Sequence, residues 1–215
     1  MIKCGRPRKG EEASSRHRIL DAALVLFLEN GYGSVSLESI AKTARVSMRT
    51  LYNEFEGKAG LFGAVIKRYS DPFVSKLADE NTLTGHPEAA LIAFGKQFIT
   101  GITQPEVLRM RSIMMGESLR FPDLAIQFYA QGPQRTLNQL EEFFIKFQQL
   151  GYFTAQDPHI LADHFLSCLR NERLQKLQLG IQKPPTQDEI DIWVRQSTDL
   201  FLKGSLKSTD IKWKE

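Results

Sequence analysis

Apolar residues recur three and four positions apart from residue 16 to about residue 204, and no stretch alternates apolar and polar residues over a useful length. This spacing predicts an all-helical protein. The first helix is expected from Arg16 to Asn30, with Ser14 or Ser15 as its N-cap and Gly31 as its C-cap. After residue 58 the pattern predicts helices over 58–77, 87–102, 105–119, 122–150, 158–179 and 187–202, with a kink or division at Gly132-Pro133.

Two short helices follow the first one. Ser36 is expected to cap a helix containing Leu37 and Ile40, and a break follows at residues 44–46. Ser47 then caps a helix over 48–55, in which Leu51 and Phe55 point inward at i, i+4. Two short helices joined by a tight turn and supported by a preceding helix predict a helix-turn-helix over residues 36–55.

The outward side chains of the second short helix have the chemistry that reads base edges in a major groove. Arg49 can donate two hydrogen bonds to guanine, and Asn53 can pair with adenine. Thr50 or Met48 can contact a thymine methyl group. These four residues are therefore candidates for sequence-specific DNA contacts.

A second group of residues suits the phosphate backbone. These are the Tyr52 hydroxyl, Lys58 and the backbone amides at the helix starts capped by Ser36 and Ser47. The charge distribution agrees, because residues 1–60 hold 10 Lys and Arg against 7 Asp and Glu, while residues 61–215 hold 18 of each. The whole net charge of +3 therefore lies in the first quarter of the chain, which favours an anionic partner there.

Composition excludes several other classes of protein. The chain is 42% hydrophobic and 25% charged, as expected of a globular protein. Its two cysteines, Cys4 and Cys168, stand apart from any Cys or His cluster, and its four histidines lack catalytic or metal-ligand spacing. We therefore expect no enzyme activity, metal or cofactor. Without an apolar run of about 18 residues, or the apolar core of a secretion signal, we also expect no membrane partner and a cytoplasmic location.

Residues 16–66 resemble the TetR family of transcriptional regulators. The resemblance rests on FLENGY at the end of the first helix and on SLESIAKTARVSMRTLYNEFEGKAGLF after it. It implies that Thr50 and Tyr52 lie on the DNA face of the recognition helix and that Lys58 clamps a phosphate at the start of helix 4. It also implies a ligand-responsive regulator, for which we favour a repressor that binds a palindromic operator as a dimer and is released by a small hydrophobic effector.

Two positions depart from the family pattern. Arg45 stands where the family usually has glycine, so a left-handed conformation there would cost roughly 1 kcal/mol, although Arg45 could gain a phosphate contact. Glu54 occupies a position where histidine or tyrosine is common, and phosphate would repel its carboxylate unless it turns toward Lys58 or Arg49. These departures leave open a dimeric helical interaction protein that has lost specific DNA binding.

The resemblance divides the chain into an arm over 1–15, a helix-turn-helix domain over 16–62, a C-terminal ligand-binding and dimerisation domain over 63–204, and a tail over 205–215. The basic segment 5–9 resembles arms that enter a minor groove, with a disordered tail as the alternative. Within the third region, RFPDLAIQFYAQGPQRTLNQLEEF resembles the AefR-like subgroup.

Soft apolar side chains of the middle helices are the candidate effector contacts, with ordinary core packing as the alternative for each. They are Phe98, Met110, Met114, Phe128, Tyr129 and Phe144. Glu117 is among the polar candidates for orienting a ligand. The last two helices carry broad apolar faces, which favour a dimer interface over intramolecular burial. Its candidate residues are Phe165, Leu169, Trp193 and Phe201.

Overall fold

A computed structural model describes residues 9–77 and 86–205 of the chain. Its helices are α1 (Lys9–Ser34), α2 (Leu37–Ala44), α3 (Met48–Phe55), α4 (Lys58–Leu77), α5 (Pro87–Ile102), α6 (Pro105–Glu117), α7 (Pro122–Gln131), α8 (Pro133–Gln149), α9 (Pro158–Leu169), α10 (Glu172–Gln178) and α11 (Gln187–Ser205). The all-helical prediction is confirmed. Over the described ranges, no helix is long and apolar enough to cross a membrane.

The helices form two compact units. Among the described residues, the first unit contains 9–68 and 109–131, and the second contains 69–77, 86–108 and 132–205. Helices α4 and α6 each contribute residues to both units. The domain boundary expected at residue 62 stays a prediction, and the segment 109–131 is grouped with the N-terminal helices rather than with the rest of the predicted C-terminal domain.

Helix α1 is longer than its apolar stripe suggested. It begins at Lys9 instead of Arg16, so residues 9–15 of the predicted arm are helical, whereas residues 1–8 lie outside the described part. Neither Ser14 nor Ser15 is the N-cap, because both lie inside the helix. The Ser14 hydroxyl instead accepts a hydrogen bond from the Arg18 guanidinium at 3.0 Å. Lys, Glu and Ala are good helix formers, and they extend the helix beyond its buried face.

The core of the first unit forms where α1 meets α2, α3 and the start of α4. Ile19, Ile40 and Leu51 are fully buried there. Phe27 and Phe62 are also fully buried, and their ring centroids lie 5.6 Å apart in an edge-to-face arrangement. Aromatic pairs favour this geometry, so the core gives α2 and α3 a fixed support.

The second unit buries a cluster of phenylalanines among α5, α8, α9 and α11. Prolines begin α5, α6, α7 and α9, as predicted, because their missing N–H has no partner in a first helical turn anyway. The predicted division at Gly132-Pro133 separates α7 from α8. The single helix expected over 158–179 is wrong, because the Asn171 side chain accepts from the Arg173 amide at 3.0 Å and so starts α10 as a separate helix.

Candidate nucleic-acid interface

The helix-turn-helix begins each of its two helices with a serine. The Ser36 hydroxyl accepts a hydrogen bond from the Ser39 amide at 3.1 Å, and the Ser47 hydroxyl accepts one from the Thr50 amide at 3.1 Å. Both serines have extended backbone, as N-cap residues do. The two predicted caps are therefore confirmed, and they set the starts of α2 and α3.

The turn between the helices passes through Arg45 in the left-handed conformation, at φ 56° and ψ 48°. The turn is closed by two backbone hydrogen bonds, from Arg45 N–H to the Lys42 carbonyl at 3.3 Å and from Val46 N–H to the Ala41 carbonyl at 3.0 Å. The side chain of Arg45 is exposed. The turn therefore keeps the shape that glycine would favour and presents a guanidinium at its surface.

Helix α3 has two distinct faces. Leu51 is fully buried and Phe55 is 4% exposed, whereas Tyr52 is 54% exposed. Arg49 and Asn53 are exposed together with Tyr52. The predicted base-reading residues at 49 and 53 thus lie on the outward side of a helix whose inner side is fixed in the core.

The remaining two predicted contacts of α3 are less exposed. Met48 and Thr50 are partly buried at the start of the helix. The Thr50 hydroxyl lies 2.9 Å from the Ser47 hydroxyl, so it takes part in the N-cap. Its methyl group is the part of the side chain left for an apolar contact.

Glu54 pairs with neither Lys58 nor Arg49. Its carboxylate lies 3.5 Å from the guanidinium of Arg16, which also lies 4.7 Å above the centre of the Phe55 ring. No local sequence pattern connects Arg16 with Glu54, because the two residues are 38 positions apart. The Arg16 contact gives Glu54 a positive neighbour within the same unit and so reduces its repulsion of phosphate.

Lys58 is partly buried at the start of α4. Its ammonium donates to the Gly33 carbonyl at 3.3 Å and lies 4.4 Å from the centre of the Tyr32 ring. Burial lowers the pKa of Lys58, and the nearby Glu117 carboxylate partly opposes that shift. The ammonium of Lys58, which was predicted to clamp a phosphate, therefore points toward the end of α1 in this structure.

The Tyr32 side chain lies next to the Lys58 ammonium and is affected by the same carboxylate, that of Glu117. Burial, and then the charges of Asp123 and Glu117, raise the pKa of the Tyr32 hydroxyl. A carboxylate on α6 thus acts on one side chain of α1 and one of α4. Glu117, predicted as a residue that orients a ligand, instead lies beside Tyr32 and Lys58, and no local sequence pattern connects these positions.

The candidate effector residues are divided between the two units. Met110 and Met114 are buried on α6, while Phe128 is half-buried and Tyr129 is 52% exposed on α7. Phe98 and Phe144 belong to the core of the second unit. Phe144 is fully buried, with its ring centroid 5.0 Å from that of Phe153.

The four candidate dimer residues also lie in the core of the second unit. Phe165 and Leu169 on α9 are fully buried, and Trp193 and Phe201 on α11 are 2% and 7% exposed. The structure places them where a second subunit cannot reach, because α9 and α11 pack against other helices of the same chain. Exposed apolar side chains on these helices are different ones, namely Ile160, Ile192 and Leu200.

Two family models match the chain. Residues 19–65 match the model described as bacterial regulatory proteins, tetR family, and residues 89–204 match the AefR-like transcriptional repressor, C-terminal domain. Among curated proteins, the uncharacterised HTH-type transcriptional regulator YvkB of Bacillus subtilis (strain 168) is 26% identical over 192 residues. That alignment covers 87% of this chain and 95% of YvkB.

Solved structures give the same fold. A crystal structure from Mesorhizobium loti MAFF303099 has a TM-score of 0.74 at 24% identity, covering 91% of this chain and 98% of that one. The flavonoid-responsive regulator FrrA has a TM-score of 0.71 at 30% identity, covering 90% of this chain and 98% of FrrA. The similarity therefore extends over both units and is not confined to the helix-turn-helix.

Proposed function

Because the chain belongs to the TetR family of transcriptional regulators, we propose that it is a cytoplasmic repressor that binds a palindromic operator as a homodimer. A small hydrophobic effector releases it from that operator. Regulation of transcription through a helix-turn-helix is a property of this family.

The two faces of α3 are the observation that carries the proposal. Leu51 and Phe55 anchor the helix, so the outward side chains of Arg49 and Asn53 are presented by a rigid element. A rigid helix loses little conformational freedom when it enters a groove. Each direct base contact of this kind discriminates against the wrong base by about 1–3 kcal/mol.

The dimer is proposed to use the exposed apolar residues of the last long helices. Ile160 on α9 is 46% exposed, and Ile192 and Leu200 on α11 are 53% and 69% exposed. Helices from two copies would bury these side chains around a two-fold axis. A two-fold dimer presents its recognition helices to two half-sites of opposite orientation, and this arrangement requires a palindrome.

An apolar effector is proposed on two grounds. FrrA, which is 30% identical to this chain, is flavonoid-responsive. The candidate contacts of α6 are the sulfur side chains of Met110 and Met114, and such side chains adapt to flat aromatic ligands. A flavonoid is therefore the first probe to use.

The test is selection of bound fragments from random duplex DNA by the full-length protein. We expect a palindrome for the native chain. Arg49→Ala should lose base preference at one position of each half-site, with operator affinity reduced by about 1–3 kcal/mol. Arg49→Lys is the matched control for charge, because it keeps the phosphate attraction and loses the bidentate geometry.

The selected operator then serves to test the effector. Operator affinity should fall when a flavonoid such as quercetin is added at saturation, since release requires tighter binding to the DNA-free state. Sedimentation of the DNA-free protein measures its oligomeric state, for which we expect a dimer. Failure to enrich any sequence, with salt-sensitive binding to all DNA, would instead favour the dimeric interaction protein that has lost specific binding.

A further inference from the structure

Helix α1 is interrupted at Gly31, whose φ of 76° and ψ of 169° are not helical. In a continuous helix the Tyr32 amide would donate to the Leu28 carbonyl. Instead, the Tyr32 amide donates to the Glu117 carboxylate at 2.8 Å, and the Leu28 carbonyl accepts from the Arg109 guanidinium at 2.8 Å. Two oppositely charged side chains of α6 therefore satisfy the two halves of one broken helical hydrogen bond.

The Glu117 carboxylate makes a second bond of the same kind. Its other oxygen accepts from the Gly33 amide at 2.6 Å. A carboxylate that accepts two adjacent backbone amides forms short, charge-assisted hydrogen bonds. Glu117 thus holds the chain at the point where α1 ends and the helix-turn-helix begins.

The glycines on either side of Tyr32 make this approach possible. A Cβ atom at Gly31 would lie 2.8 Å from one oxygen of Glu117, and a Cβ atom at Gly33 would lie 2.9 Å from the other. Gly31 is also needed for its positive φ, whereas Gly33 has no such backbone requirement. The absence of a side chain at position 33 therefore serves the contact with Glu117 and with the nearby ring of Phe121.

The same junction contains the side chains that surround Lys58. The rings of Tyr32 and Phe121 pack edge-to-face at 5.3 Å between centroids, and the Lys58 ammonium donates to the Gly33 carbonyl. One peptide segment, 32–33, is therefore bound through its amides by α6 and through its carbonyl by the first residue of α4. A change at Glu117 would reach the starts of both α2 and α4.

We propose that Glu117 is a positioning residue for operator binding: its carboxylate fixes residues 32–33, and thereby sets the placement of the helix-turn-helix without touching DNA. Helix α6 supplies residues to both compact units. The inference rests on the proposed DNA-binding function and adds to it the side chain through which α6 acts.

The first test compares Glu117→Gln and Glu117→Ala with Glu106→Gln in the full-length protein. Glutamine keeps the size of the side chain, but its NH2 group replaces one of the two accepting oxygens and cannot accept from an N–H. We expect operator affinity to fall about tenfold for both Glu117 variants, which is within the usual range of coupling between sites. Glu106 lies in the first turn of the same helix, and its variant should bind within about twofold of the native protein.

Two further readouts separate positioning from a general loss of structure. The fragments selected from random DNA should show the same palindrome for Glu117→Gln as for the native chain, because the base-reading side chains are unchanged. Amide hydrogen exchange at Tyr32 and Gly33 should become faster in both Glu117 variants while exchange at buried Leu51 is unchanged. An altered palindrome, or faster exchange throughout α3, would mean that Glu117 only maintains the fold.

A double-mutant cycle with Gly33→Ala gives the sharpest test. The added methyl group meets the Glu117 carboxylate, so Gly33→Ala should weaken operator binding in the native background and have a smaller effect in Glu117→Ala. Strictly additive effects would overturn the proposal, as would native affinity in Glu117→Gln. If the native protein selects no DNA sequence, the proposed function fails, and the exchange at Tyr32 and Gly33 still decides whether Glu117 holds this segment.

Discussion

Apolar residues have the same spacing in α3 as in α9 and α11, but the resulting apolar faces have different roles. In α3 the stripe of Leu51 and Phe55 anchors a short helix, and the polar face opposite it carries the candidate chemistry. In α9 and α11 the stripe that suggested a dimer surface lies inside the unit, as the full burial of Phe165 shows. The apolar surface that remains available to a partner consists of scattered exposed side chains, such as Leu200.

This difference shows what periodicity determines. The spacing of apolar residues indicates which side chains leave water, and it does so correctly in both regions. It does not indicate whether the same chain or a second copy covers them, because both give the same transfer free energy per unit area. A polar face has no such ambiguity, since side chains excluded from the core must face solvent or a ligand.

The largest expected effect distinguishes core from interface on α9. Phe165→Ala removes a fully buried ring that lies near Phe201, at 5.1 Å between centroids. We expect the free energy of unfolding to fall by about 3–5 kcal/mol, from lost transfer free energy and the cavity left behind. Denaturant unfolding measures this change in the free energy of unfolding. The protein concentration is kept fixed, because the stability of a dimer depends on concentration.

Leu200→Ala is the control for Phe165→Ala. Leu200 is 69% exposed, so its truncation should change the unfolding free energy of the monomer by less than about 0.5 kcal/mol. If this surface forms the proposed dimer, sedimentation should show weaker association for Leu200→Ala. A Phe165→Ala protein that remains fully stable and merely dissociates would reverse the assignment of the two faces.

Much of the fold was predictable because its signals are local. Serine caps, prolines in first turns and the Gly132-Pro133 break depend on neighbouring residues, and the structure follows them. The Arg16–Glu54 pair and the bonds between Glu117 and the amides at 32–33 join residues 38 to 85 positions apart. Sequence periodicity does not predict such pairs, so the polar contacts that support the candidate interface could be identified only from the structure.

An intermediate effect is expected at the start of α3. Ser47→Ala removes the hydroxyl that accepts from the Thr50 amide at 3.1 Å, and loss of an N-cap costs about 1 kcal/mol. Ser167→Ala is a suitable control, since Ser167 is an exposed serine inside α9. Thermal unfolding should show a lower Tm for Ser47→Ala alone. Equal Tm values for the two variants would mean that the first turn of α3 is stabilised mainly by the burial of Leu51.

The smallest expected effect is at Arg45, where two terms nearly cancel. Glycine would relieve about 1 kcal/mol of left-handed strain, but it also adds about 0.4–1 kcal/mol of conformational freedom to the unfolded chain. Arg45→Gly should therefore change the unfolding free energy by only a few tenths of a kcal/mol.

If the exposed guanidinium neutralises a phosphate, the salt dependence of operator binding should decrease by about one unit of slope for each protomer. Arg45→Asn keeps a residue that tolerates this conformation and removes the charge, so the same loss of slope in both variants would assign the effect to the missing charge. An unchanged slope in both would show that Arg45 shapes the turn and makes no phosphate contact.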